Sequence, residues 1–147
     1  MAATATRDFT ASWERFFRIT RRIRARAGRA ELDGLSLSQY QLLEPLRTAD
    51  ELTVGELAES AGVAAPTATR MLDCLARDGL IERRHSEQDR RAVLVSLTAE
   101  GAATVERAHA RAEEWRGRVF ASLEPGEREQ AARLLSRLAD ILERELP

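Results

Sequence analysis

The 147-residue sequence contains no lysine, one cysteine, two histidines and no run of 18 apolar residues. A single cysteine, Cys74, excludes an intrachain disulfide, and without a long apolar run no transmembrane helix is expected. Residues 1–7 contain no apolar stretch of the kind found in secretory signals, so we expect a cytoplasmic protein with no membrane partner. The two histidines, His85 and His109, leave little for a metal site, and we expect neither a metal nor a cofactor.

Recognisable catalytic motifs are also missing. The sequence contains no G-x-S-x-G, P-loop or H-E-x-x-H motif. His85 and His109 lie on different predicted elements, and no Ser/His/Asp set is suggested. We therefore predict that the protein is not an enzyme, a prediction that a deep pocket with paired titrating groups would contradict.

The charges are unevenly distributed although the net charge is only −1. Residues 7–29 carry eight arginines against two acids, whereas residues 30–62 carry seven acids against one arginine. All 23 basic residues are arginine, which contacts guanine or phosphate through two parallel hydrogen bonds more readily than lysine does. The net charge alone does not predict nucleic-acid binding, but this distribution is compatible with it.

The central stretch, residues 53–98, has the order helix, tight turn, helix, strand and strand. Thr53 followed by Glu56 predicts a capping box at the start of the first helix. Gly62 suits the left-handed residue after that helix, and Pro66 suits the first turn of the next one. Gly79 then ends the second helix. This order predicts a helix-turn-helix followed by a β-hairpin wing.

The second helix of this unit has an apolar face and a polar face. The apolar face is formed by Ala68, Met71, Leu72 and Leu75. Residues on the opposite face and its flanks are Pro66, Thr67, Thr69, Arg70, Asp73, Cys74 and Arg77. Hydroxyl and guanidinium groups near the N-terminal half of a helix suit insertion into a major groove. An amphipathic surface helix without a DNA role would show the same pattern.

The wing is predicted from strands at 80–84 and 92–97, joined by the polar loop 85–91. Four arginines are expected to gather at one end of this hairpin: Arg83, Arg84, Arg90 and Arg91. Such a cluster repels itself unless a polyanion or nearby acids balance it. An arginine at the tip of a wing can enter a narrow minor groove, where the potential is most negative.

Long helices are predicted on both sides of the central stretch. The first covers residues 8–29, with a 4,3-spaced seam of Phe9, Trp13, Phe16, Thr20, Ile23 and Ala27. Ser38 and Gln41 predict a capping box for a helix ending near Thr48. A long helix capped by Thr98 is expected to bury Ala102, Val105, His109, Ala112, Trp115 and Val119. A last helix begins at Glu124-Pro125, with inner positions Ala131, Leu134, Leu135, Leu138, Ile141 and Leu142.

Two segments carry a resemblance to a known family. Residues 69–73 read TRMLD, and residues 89–98 read DRRAVLVSLT. A D-x-R pattern followed by V-x-L-T, just after a predicted recognition helix, resembles the multiple-antibiotic-resistance regulator (MarR) family of winged helix-turn-helix transcriptional regulators. The resemblance covers the whole chain and implies a mainly α fold with a small β-hairpin wing, forming a single domain over residues 1–147. Residues 36–97 would be the DNA-binding part, with dimerisation helices at 8–30 and 98–147.

The resemblance also implies a function. Family members are homodimers that bind pseudo-palindromic double-stranded operator DNA, usually repress nearby genes, and in many cases are released by small, often aromatic ligands. Carried over by position, Arg91 would enter the minor groove, and Asp89 would hold its long side chain in place before binding and so lower the ordering cost. The alternative for Asp89 is a solvated loop ion pair worth at most ~1 kcal/mol. The predicted DNA-binding residues are Ser36, Ser38, Gln39, Pro66, Thr67, Thr69, Arg70, Arg77, Arg84, Asp89, Arg90 and Arg91.

Two regulatory hypotheses follow. The first is an effector pocket between the long helices and the winged part, lined by Trp13, Phe16, Phe17, Leu42 and Leu46, although these residues could simply be core. The second is a thiol-redox regulator, because Cys74 flanks the recognition helix beside Arg70 and Arg77, and positive neighbours favour a reactive thiolate. A metal sensor would need an acidic ligand set that no spacing singles out. A helical scaffold for a protein partner would leave the wing arginines without a role.

Overall fold

Helices account for most of the chain, and the three longest of those described lie towards its ends. A computed structural model describes residues 2–27 and 33–145. The helices are α1 (Ala2–Ala27), α2 (Leu37–Leu43), α3 (Val54–Ala61), α4 (Ala65–Arg77), α5 (Ala99–Ala121) and α6 (Pro125–Glu145), with a 3₁₀ turn at Glu44–Arg47 after α2. The strands are β1 (Leu52–Thr53), β2 (Ile81–His85) and β3 (Val93–Leu97). Among the described residues, no helix is long and apolar enough to cross a membrane.

The three strands form one antiparallel sheet in the order β1-β3-β2. β2 and β3 form the predicted hairpin, with Ile81 opposite Leu97 and His85 opposite Val93. β1 was not predicted: it has two residues, and Leu52 pairs with Val95 of β3. This short strand ties the segment before α3 to the wing, so the wing shares its sheet with the helix-turn-helix.

One of the two predicted capping boxes is found in the structure, and the other begins two residues earlier than predicted. The Thr53 box is confirmed, since the Thr53 hydroxyl accepts from the Glu56 N–H and the Glu56 carboxylate accepts from the Thr53 N–H. The Ser38 box is wrong. The N-cap of α2 is Ser36, whose Oγ accepts from the Gln39 N–H at 3.2 Å, while the Ser36 N–H donates to Gln39 Oε1 at 2.8 Å.

The core lies under the helix-turn-helix and the sheet. The predicted apolar face of α4 is confirmed, with Ala68, Leu72 and Leu75 fully buried and Met71 half-buried. Fully buried leucine and valine side chains from the other elements complete this core: Leu35, Leu42, Leu43, Leu57, Val95 and Val105. Burial of these side chains removes apolar surface from water and is the main term that stabilises the winged-helix part.

The start of α5 is fixed to the turn between α4 and β2. The predicted N-cap is confirmed: the Thr98 hydroxyl accepts from the Gly101 N–H at 3.0 Å and donates to the Gly79 carbonyl at 2.7 Å. The predicted inner face of α5 is confirmed only in part. Val105 is buried, and His109 and Ala112 are half-buried. Ala102, Trp115 and Val119 are exposed, and Gly101, Thr104 and Ala108 are buried instead. Gly101 allows the backbones to meet, because a Cβ atom there would lie 1.8 Å from the Leu80 carbonyl oxygen.

The chain divides into two compact units, Met1–His109 and Ala110–Pro147. In the second unit, Arg128 donates to the carbonyls of Leu123 and Ala121 and lies 5.0 Å over the Phe120 ring. None of the predicted inner positions of α6 is buried in a single chain. In the first unit, α1 begins six residues before its predicted start, and five of its seam residues are exposed or half-buried: Phe9, Trp13, Phe16, Thr20 and Ile23. The predicted end of this helix near residue 29 lies outside the described residues.

Candidate nucleic-acid interface

The exposed face of α4 presents the predicted polar residues. Gly62 adopts φ 63°, ψ 35° in the turn after α3, a left-handed conformation that glycine reaches without strain. Pro66 lies in the first turn of α4, where a missing N–H leaves no helical hydrogen bond unmade. Pro66, Arg70 and Arg77 are exposed on the resulting helix. The turn therefore places the N-terminal half of α4 at the surface with its polar side outward.

Residues far apart in the sequence meet around a surface hollow of about 460 Å³ on this face. Its lining residues are Ser36, Ser38, Gln39, Thr67, Arg70, Met71 and Cys74. The structure thus brings the predicted residues of α2 next to those of α4. Ser36 and Gln39 also cap α2, so their side-chain oxygens already accept one hydrogen bond each.

The four wing arginines do not form the single cluster predicted, although acids balance two of them, as the prediction allowed. Arg84 forms a bidentate ion pair with Glu51, with N···O distances of 2.6 and 2.5 Å. This hydrogen bond from Arg84 lowers the pKa of the Glu51 carboxyl. Arg83 points to α4 and contacts Asp73 of that helix at 2.7 Å. Successive strand residues face opposite sides of a sheet, so Arg83 and Arg84 cannot share one cluster.

Asp89 contacts Arg91 differently from the prediction. Its Oδ1 accepts from the Arg91 main-chain N–H at 2.9 Å, and among the described residues the Arg91 guanidinium has no acidic partner. An aspartate two residues before an N–H readily forms this local turn. Ser86 supports the same loop, since its Oγ accepts from the N–H groups of Gln88 and Asp89. Asp89 therefore fixes the backbone that carries Arg91, and the proposed side-chain brace is incorrect.

Arg90 and Arg91 lie beside different hollows. Arg90 lines one with His85, Ser86 and Glu87 at the tip of the wing. Arg91 lines another, of about 320 Å³, between the wing, α4 and the start of α3; the remaining lining residues are Thr53, Val54, Gly55, Thr69, Arg83, Ala92 and Val93. Arg91 thus shares its hollow with Thr69 of α4, whereas Arg90 shares its hollow with other residues of the wing.

Comparisons with known proteins agree with this geometry. The model of the MarR family matches residues 35–93. The uncharacterized helix-turn-helix-type transcriptional regulator Mb0904 of Mycobacterium bovis is 36% identical over 109 residues, covering 72% of this chain and 76% of the relative. This chain belongs to the MarR family.

A second relative and a solved structure are also similar to this MarR-family chain. The helix-turn-helix-type transcriptional regulator BilQ of Clostridium symbiosum is 37% identical over 91 residues, which are 62% of this chain and 63% of the relative, so the match spans less than two thirds of that protein. A crystal structure of a mutant MarR from E. coli complexed with operator DNA is 28% identical, with a TM-score of 0.69, and covers 91% of this chain and 93% of that one. The winged helix and its extended helices are therefore those of the family.

The five residues predicted to line an effector pocket are found in two environments. Leu42 and Leu46 are 0% and 6% exposed in the winged-helix core. Trp13, Phe16 and Phe17 lie on α1, where the Trp13 and Phe17 rings are 4.5 Å apart and both phenylalanines are exposed. The two leucines serve as core, and the aromatic rings remain available to a ligand or to another helix.

Cys74 is half-buried, and its Sγ accepts from Arg77 at 3.1 Å. Within residues 2–27 and 33–145, no group of three His, Cys, Asp or Glu residues could hold a metal ion. Sequence reasoning missed Glu51 and did not assign Arg83 and Asp73 to the site. Their roles depend on contacts between distant segments, and no local pattern signals such contacts.

Proposed function

We propose that this MarR-family chain is a sequence-specific DNA-binding transcriptional regulator that binds a pseudo-palindromic operator as a homodimer and represses nearby genes. The observation that carries the proposal is the hollow on α4, where hydroxyl, amide and guanidinium groups from two separate helices meet. A core-facing surface would not collect these groups, whereas a duplex offers phosphates and base edges to all of them.

In this proposal each element has a distinct partner on the duplex. α4 enters the major groove, with Thr67, Thr69 and Arg70 near base edges and phosphates. The Thr69 hydroxyl donates its hydrogen to the Ala65 carbonyl at 2.9 Å, so towards the duplex it can act only as an acceptor, through its oxygen lone pairs. Ser36, Ser38 and Gln39 at the start of α2 contact phosphates, as do Arg77 and Arg90 at the margins. The predicted phosphate contact of Arg84 is not part of this proposal, because Glu51 holds its guanidinium in a bidentate ion pair. Arg91 enters the adjacent minor groove from the wing.

The homodimer is supported by apolar surface that a single chain leaves in water. Large apolar side chains 38–59% exposed occur on α1, the C-terminal half of α5, and α6: Phe9, Phe16, Phe17, Ile19, Ile23, Trp115, Val119, Phe120, Leu134, Leu135 and Leu142. Soluble proteins rarely expose so many large apolar residues without a partner. We propose that residues 8–30 and 98–147 supply the dimer interface and that residues 36–97 bind DNA.

Selection of bound duplexes from random DNA by the purified protein tests this function. We expect a recovered site with twofold symmetry and half-sites about one helical turn apart. Sedimentation of the free protein should give the mass of two chains. A monomer that recovers no common sequence, and binds no duplex even at low salt, would contradict the proposal.

Release by a small aromatic ligand is the regulatory part of the proposal. The half-buried ring of Trp13 and the exposed rings of Phe16 and Phe17 can stack on such a ligand. A panel of phenolic and aromatic carboxylic acids should contain compounds that raise the thermal midpoint and release the selected duplex. If no member of the panel does either, or if Trp13→Ala responds as the wild type does, this part of the proposal fails.

A further inference from the structure

Arg83 joins the wing to α4, the proposed recognition helix, through two hydrogen bonds. Its NH1 donates to Asp73 Oδ1 at 2.7 Å, and its NH2 donates to the main-chain oxygen of Thr69 at 3.3 Å. These two acceptors are four residues apart, which is about one turn of helix. A rigid planar guanidinium held at two points on one turn restricts both the separation and the relative rotation of the two elements.

The turn of α4 that Arg83 contacts, residues 69–73, also carries the proposed base contacts. It contains Thr69 and Arg70, and both residues are exposed. At the other end of the contact, Arg83 lies on β2, the strand that leads into the wing loop. Arg83 and Arg91 line the same hollow between the wing and α4. The Asp73–Arg83 pair therefore lies between the major-groove and minor-groove elements.

We infer that Asp73 and Arg83 are positioning residues for DNA binding. They hold the wing and the recognition helix at the separation at which Arg70 and Arg91 contact the duplex together. This inference rests on the proposed function. It explains why an acid is tolerated on the DNA-facing side of the recognition helix, where simple repulsion from phosphate would disfavour it.

Two simpler roles give different expectations. If Asp73 only repels phosphate, removing it should tighten DNA binding. If the pair only stabilises the fold, removing it should lower the thermal midpoint and leave the contacts of Arg91 unchanged. The side chains of Arg83 and Asp73 are 28% and 53% exposed, and such pairs contribute little to folding, so we expect the midpoint to fall by no more than about 4 °C.

The first experiment measures affinity for the duplex selected with the wild-type protein. Asp73→Ala should bind it about tenfold more weakly although it removes a negative charge, because the wing must then be ordered during binding. The matched control is Glu106→Gln, which removes the acid of the Arg47–Glu106 ion pair between the 3₁₀ turn and α5 and leaves Arg83 in place. The control should bind within about twofold of wild type. Arg83→Lys, which keeps the charge, should recover part of the affinity that Arg83→Gln loses.

The second experiment adds Arg91→Ala to each background. In the wild type this substitution should lower the affinity and the salt slope. In Asp73→Ala the same substitution should have a smaller effect on both, since the two sites act as a unit. The inference is overturned if Asp73→Ala binds as tightly as wild type or tighter, or if Arg91→Ala costs the same factor in both backgrounds. Failure of the proposed function is a separate result: the wild type would select no duplex.

Discussion

Replacing Gly101 by alanine tests how α5 is attached to the winged helix. The added Cβ would lie 1.8 Å from the Leu80 carbonyl oxygen and 2.8 Å from the Leu80 carbonyl carbon. An ordinary carbon–oxygen contact is about 3.3 Å, so the two backbones must separate by about 1.5 Å. Both are main-chain segments, and no flexible side chain can move aside.

The magnitude follows from two opposing effects. Alanine is the better helix former by ~1 kcal/mol. Overpacking a close backbone contact costs about 1–3 kcal/mol, and separation would stretch the Thr98 bonds to Gly79 and Leu80, at 2.7 and 3.1 Å, each worth about 1 kcal/mol. We expect a net loss of about 2–4 kcal/mol, which for a chain of this size lowers the thermal midpoint by roughly 4–16 °C.

The chain offers a matched control in the same helix. Gly117 also lies in α5, but a Cβ there would meet nothing within 4 Å. Gly117→Ala should therefore raise the midpoint slightly, through helix propensity alone. Both variants are measured by circular dichroism at one fixed protein concentration, because the stability of a dimer depends on concentration. Gly101→Ala unfolding at or above the wild-type midpoint would refute the close contact.

The other predictions concern binding and pH. Arg70→Ala should cost roughly 1–3 kcal/mol of operator affinity and relax preference at one base pair in a repeated selection. Arg91→Ala should lower the salt slope by about one phosphate per subunit, and an unchanged slope would argue against the minor-groove contact. The hydrogen bond from Arg47 lowers the pKa of Glu106 from its ordinary 4.5. The Arg47–Glu106 pair therefore stabilises the folded state above pH 4.5, and this stabilisation is lost as the pH falls through the lowered pKa. The difference in urea midpoint between wild type and Glu106→Gln should shrink accordingly as the pH falls below 4.5. Peroxide should weaken operator binding by wild type more than by Cys74→Ser if the thiol regulates, and equal responses would exclude that role.

Local signals in the sequence were sufficient for the helix-turn-helix. The Thr53 box, the left-handed Gly62 and the first-turn Pro66 each depend on neighbouring residues, so their pattern is complete within a few positions. The α2 cap shows the limit of the same signal. Ser36 and Ser38 are each followed three residues later by glutamine, and only packing of the helix decides between them. β1 has only two residues and forms by pairing with β3. A strand this short has no alternation of apolar and polar residues from which it could be predicted.

The inner face of α5 was misjudged for a physical reason. Apolar spacing through Trp115 and Val119 was extended back to Ala102, but the first turns of α5 pack against the winged helix through small residues. Gly101 and Thr104 are buried there, and neither is apolar enough to mark a face. The exposed Trp115 and Val119 belong to a different surface of the helix, so one periodicity could not describe both.

Pairing between arginines and acids explains how a chain of net charge −1 can have a cationic binding face. Arg83 and Arg84 are neutralised by Asp73 and Glu51, which removes them from the count of charges available to DNA. The guanidinium groups of Arg70, Arg90 and Arg91 have no acidic partner within residues 2–27 and 33–145. Acids farther than about 8–10 Å from those groups are screened at physiological salt. DNA binding should therefore depend on these few unpaired arginines and not on the total number of arginines in the chain. For this reason the positions of the ion pairs predict DNA binding better than the net charge does.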